Sequence, residues 1–165
     1  MFALVLIASL TTATTTEDYN SVRQNGNNLG LSVLATWAVA STVTGAIGFF
    51  VADDPRWKGA HASNVLWGLI NIGFSVIPLV LALQPGAVRT NRADALADGK
   101  STQFIYAWNA ALDVGYLAGA ALGWKEFSSP GAKGFFASSL VQALFLLVFD
   151  STMSMFHALN NDRLR

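Results

Sequence analysis

An all-α integral membrane protein, a bundle of four helices in up-down-up-down order, is the fold this sequence predicts, on three observations. The chain is 53% hydrophobic and only 12% charged, about half the charged fraction of roughly 25% typical of a soluble domain. It contains four apolar stretches, Leu29–Ala52, Ser63–Leu83, Gln103–Trp124 and Gly134–Leu159, each near the roughly 20 residues that a helix needs to cross about 30 Å of hydrocarbon. None holds Lys or Arg between its ends, and Asp113 and Asp150 are the only acidic residues inside them.

Residues 1–16 stand apart. The run Phe2–Leu10 is too short to span, and with Thr11-Thr12-Ala13-Thr14-Thr15-Thr16 after it it resembles a signal-peptide core and cleavage region. No basic residue precedes the run, so removal and retention both stay open. Residues 17–28 read as a polar N-terminal segment and 29–165 as the four-helix domain. Turn and charge signals punctuate that domain: Asp53-Asp54-Pro55-Arg56-Trp57-Lys58-Gly59 after the first span, Pro85 to Lys100 after the second, and Lys125 to Lys133 after the third. Short joins make sequential helices antiparallel neighbours. Arg23, Arg89, Arg92, Lys100, Arg163 and Arg165 fall on the side of the termini, against Arg56, Lys58, Lys125 and Lys133 opposite. That bias places the termini inside, whereas a removed leader would place them outside.

Each span carries a polar stripe at the helical period: Trp37, Ser41, Thr44 and Gly48 on the first; His61, Asn64, Trp67, Asn71, Ser75 and Pro78 on the second; Asn109, Asp113, Tyr116 and Ala120 on the third; Gln142, Leu146, Asp150, Met153 and His157 on the fourth. An unsatisfied polar group in hydrocarbon costs several kcal/mol, so the stripes are expected to face one another. At about 1.5 Å of rise per residue, Asp113 falls at the middle of its span, Asn109 and Asp150 on the side of the termini, and Asn71, Tyr116 and Gln142 on the other. A charged carboxylate at that depth costs about 2.5–3.5 kcal/mol or more, and no Lys or Arg is there to pair with it. Asp113, Asp150, Asn71, Asn109, Tyr116, Gln142 and His157 are therefore the candidate ligand or ion site. The competing reading is a satisfied network that sets helix register.

Ala111, Gly115, Gly119 and Gly123 recur every fourth residue of the third span, the small-xxx-small pattern by which membrane helices approach closely. The ridge points away from Asp113 and is expected to meet a neighbouring helix of the same chain; the alternative is a homodimer through the third helix. His61 opens the second span and His157 closes the fourth, at opposite ends of the bundle, which argues against one haem between them. Trp57 and Trp124 sit where interfacial anchors belong. With ten basic and ten acidic residues, no net field favours nucleic acid. No cysteine is present, which excludes thiolate chemistry and disulfides, and no nucleophile triad, phosphate loop or metal signature is seen. No cofactor is expected, nor is a catalytic residue, and an enzyme is the weakest reading.

Gly30-Leu31-Ser32-Val33-Leu34-Ala35-Thr36-Trp37-Ala38, His61 with Asn64-Val65-Leu66-Trp67-Gly68-Leu69-Ile70-Asn71, Asn109-Ala110-Ala111-Leu112-Asp113-Val114-Gly115-Tyr116, and Gln142 through Asp150 with His157 together resemble a family of small four-helix bacterial membrane proteins known as a domain of unknown function. The resemblance runs over about residues 20 to 158 and implies a bacterial cell-membrane location, often with a leader. It implies no activity. The expected role is a binding or structural module for a membrane lipid, an amphipathic small molecule or a protein partner. The alternative is a small proton- or cation-coupled transporter or channel using Asp113 and Asp150.

Overall fold

The computed structural model describes residues 15–82 and 89–164; nearly all of the leader-like segment, Leu83 and Arg165 lie outside them. Four helices follow in order, α1 (Thr16–Val51), α2 (Pro55–Ala82), α3 (Arg92–Glu126) and α4 (Pro130–Arg163). Their starts have local causes. The Thr15 hydroxyl accepts from the Asp18 amide at 3.0 Å, and Glu17 and Asp18 lie where the helix dipole favours negative charge. Asn91 caps α3 by accepting from the Ala93 amide at 2.8 Å, and Ser129 caps α4 ahead of Pro130 in its first turn. Residues 52–54 and 127–129 are too few for anything but antiparallel turns.

The helices outrun the predicted spans. α1 has 36 residues, about 54 Å at 1.5 Å each, so residues 17–28 are helix rather than a separate polar segment. α3 and α4 are nearly as long, with 35 and 34 residues. The extra turns of α1, α3 and α4 gather on the side of the termini and bind one another. The Tyr19 hydroxyl donates to Asn161 Oδ1 at 2.7 Å, Asn161 Nδ2 donates to Gln103 Oε1 at 3.0 Å, and Arg23 and Arg89 both reach Asp98. Three helices, α1, α2 and α4, are long and apolar enough to cross a membrane, as in a multi-pass membrane protein. α3 falls short of that hydropathy, a correction to the expectation that all four helices are apolar enough to span. Asn109, Asp113 and Tyr116 dilute its apolar stretch.

α1 packs on α2, α2 on α4 and α4 on α3, while α2 and α3 scarcely touch. Small residues set the tight contacts. A Cβ at Gly68 would collide with Thr42 and the Ala38 carbonyl of α1, one at Gly45 with the His61 carbonyl of α2, and one at Gly134 with the Arg56 carbonyl. Because the first turns of α2 and α4 lie side by side, these two helices run parallel. The core is built from Leu34, Tyr106, Leu146, Phe149, Met153 and Phe156. Phe50, Phe74, Phe104, Leu122 and Val148 point outward, an arrangement suited to lipid rather than water.

A cavity between α2 and α3

The separation of α2 from α3 leaves a cavity of about 330 Å³. Trp67, Ile70, Asn71, Phe74 and Pro78 of α2 form one wall, residues from Thr102 to Tyr116 of α3 the other, and Leu146, Phe149 and Asp150 of α4 the floor; Asn27, Leu31 and Leu34 of α1 close the back. Ile70, Phe74, Ile105 and Leu112 line the cavity and are themselves exposed. The opening therefore faces sideways, through the gap between the two helices.

At the inner end Asp113 of α3, Asp150 of α4 and Asn109 line the cavity together, the two carboxyl groups close enough to interact. Asp113 is 3% exposed and Asn71 2%, yet Asp113 Oδ2 and Asn71 Nδ2 have no hydrogen-bond partner. One is an acceptor and the other a donor, and both residues line the cavity. A buried polar atom left unpaired costs about 1–3 kcal/mol; among the described residues these are the two such atoms on residues that line the cavity, while others, both ring nitrogens of His157 among them, lie outside it.

Of the residues expected to form one site, Asn71, Asn109, Asp113 and Asp150 are brought together on this wall. Tyr116 lines the cavity but is 45% exposed, at its rim rather than inside the bundle. Its ring meets Trp67 edge-on with centroids 5.2 Å apart. Beyond that pair the groove continues as a second hollow of about 380 Å³, bordered by Gly115, Gly119, Leu66 and Phe135.

Gln142 belongs elsewhere. It accepts from Trp37 Nε1 at 2.7 Å and donates to Asn64 Oδ1 at 2.9 Å and Ser41 Oγ at 3.3 Å, tying α1, α2 and α4 in a closed cluster. Ser138 donates to the same Asn64 oxygen at 2.8 Å. His157 is 0% exposed and stacks on Tyr106 at 5.5 Å, outside the cavity lining. Gly115 and Gly119 have no neighbouring atom within reach of an added Cβ, whereas Gly123 receives the Phe136 ring. The expected neighbour within the chain is therefore found at Gly123 alone, because α2 veers from α3 where the other two glycines face it.

Tyr106 was absent from the expected site although it lies seven residues before Asp113 on the same helix face. Its hydroxyl donates to Asn27 Oδ1 at 2.9 Å, closing the cavity toward the termini. Among the described residues no group of three or more His, Cys, Asp or Glu could hold a metal ion. Residues 33–151 match a family described as one of unknown function. No curated protein and no solved structure matches the chain.

Proposed function

The chain belongs to the DUF6992 family, a family of unknown function, and we propose that it is a membrane binding module that takes an amphipathic small molecule or lipid from the bilayer into the α2–α3 cavity. The observation that carries this reading is a sideways-opening, apolar-mouthed cavity with unpartnered polar atoms at its closed end. Pockets of this kind hold ligands by apolar walls and a few placed polar groups. In this reading α3 is a fourth spanning helix, since Phe104, Trp108 and Leu122 present an apolar outer face. The location is the bacterial cell membrane implied by the sequence resemblance. Protein purified in mild detergent should retain an amphipath detectable by native mass spectrometry. Ile70→Trp combined with Ile105→Trp, which fills the mouth, should release it without lowering the melting temperature. Retention unchanged by the filled mouth would overturn the reading.

A second reading, proton or cation transport, is favoured by the acid pair lining an open cavity. Against it stand the Tyr106–Asn27 bond toward the termini and the Gln142 cluster on the other side of the acids. We expect proteoliposomes to carry no more proton or monovalent-cation flux than empty vesicles. A flux abolished by Asp150→Asn would reverse the assignment.

A further inference from the structure

We infer that the ligand of this cavity is a long-chain amino alcohol, a single alkyl chain whose head carries both an ammonium and a hydroxyl. This rests on the cavity being a bilayer-accessible binding site and adds the chemistry of its occupant.

Charge is the first argument. Asp113 and Asp150 both line the cavity, and a cation placed beside a carboxyl group favours its ionised form. Among the described residues, none of those lining the cavity is Lys, Arg or His, so its walls supply no cation to these acids. An ammonium would supply one. A carboxylate or phosphate head brings no such partner to the two acids, and a neutral head leaves them without a counter-charge in apolar surroundings.

Hydrogen bonding adds a requirement that charge alone does not meet. Asp113 Oδ2 lacks a donor and Asn71 Nδ2 lacks an acceptor. An ammonium supplies N–H groups only and leaves the Asn71 amide unpaired. A hydroxyl carried beside the ammonium supplies the oxygen that Asn71 requires. At about 330 Å³ the cavity lies at the small end of ligand pockets, roughly 300–1,000 Å³. It holds the head and the first part of a chain, and the rest leaves between Ile70 and Ile105, both exposed at the mouth.

The test is calorimetric titration of nanodisc-embedded protein, with empty nanodiscs subtracted, using N-dodecylethanolamine, dodecylamine, dodecanol and dodecanoate. The wild type should bind N-dodecylethanolamine most tightly, with dodecylamine about fivefold to tenfold weaker and the other two at least roughly thirtyfold weaker. Asp150→Asn should remove the preference for amines over dodecanol, and Asn71→Leu the preference for the amino alcohol over dodecylamine, each in protein that melts cooperatively. Equal binding of all four wild-type probes, blocked by Ile70→Trp with Ile105→Trp, would overturn the amino-alcohol assignment and leave the cavity reading standing. Failure of every probe to bind the wild type would overturn both. The wild-type comparison decides the matter even where a variant does not fold.

Discussion

Gly134→Ala should lower the melting temperature of the purified protein by about 2–12 °C, while Gly115→Ala leaves it unchanged or raises it. The substitution is the same and the surroundings are opposite. A methyl at Gly134 meets the carbonyl of Arg56 on the parallel helix α2, and a backbone atom cannot rotate away as a side chain can. Overpacking of this sort costs about 1–3 kcal/mol, and each kcal/mol shifts the midpoint by about 2–4 °C for a chain of this size. At Gly115 nothing lies within contact distance, so alanine brings only its helix preference, about 0.5–1 kcal/mol. Thermal unfolding in one detergent compares the two. A neutral Gly134→Ala would mean that α2 and α4 are not packed at their first turns. Size-exclusion of Gly115→Leu reads the homodimer alternative separately: a dimer lost on that substitution would place the open face of α3 in an interface.

Gln142→Leu is expected to cost about 2–4 kcal/mol, more than Asn71→Leu, although both remove a buried amide. Gln142 bonds three side chains on two other helices. Without it the indole N–H of Trp37 has no acceptor, a loss of about 1–3 kcal/mol, to which the severed links add about 0.6 kcal/mol apiece. The Asn71 amide nitrogen has no partner to lose, so its removal costs little in stability and shows instead in ligand preference. Equilibrium unfolding of the two variants decides it, and equal losses would mean that Asn71 belongs to a packing network after all.

The four helices and the inward face of each were readable because the 3.6-residue period is a property of one helix alone. Asn71, Asp113 and Asp150 lie on their predicted stripes and are buried. What a stripe does not specify is which neighbour it meets. Asn71 and Gln142 were assigned to one layer by depth, yet Gln142 turns toward Trp37 and Ser41 of α1 and Asn71 toward α3. Their separation depends on the order of helices around the bundle, which antiparallel joins leave open. The same holds for the glycines. Gly115 and Gly119 have the spacing of a contact ridge, but spacing does not supply a partner, and the working contacts are at Gly45, Gly68 and Gly134. Tyr106 is legible in the sequence, since it continues the stripe of Asn109 and Asp113 by one turn. The length of α1 was not: Thr15, Glu17 and Asp18 are capping signals, but they lie far from the apolar run used to place the span.

The dependence of α3 on α4 also bears on how such a chain can be made. α3 is the least apolar of the four helices, and its acid lines the cavity beside the acid of α4. Synthesis proceeds from the N-terminus, so α3 leaves the ribosome before the helix that covers it. Alone in hydrocarbon it would present Asn109 and Asp113 to lipid, at about 2.5–3.5 kcal/mol for the acid alone if charged. Residues 127–129 hold the two helices within one tight turn, so α4 arrives close behind, and the pair can enter the bilayer as a hairpin with the acids already facing each other. With α3 as the fourth span proposed above, the polar seam that shapes the cavity would also couple the last two insertion events into one.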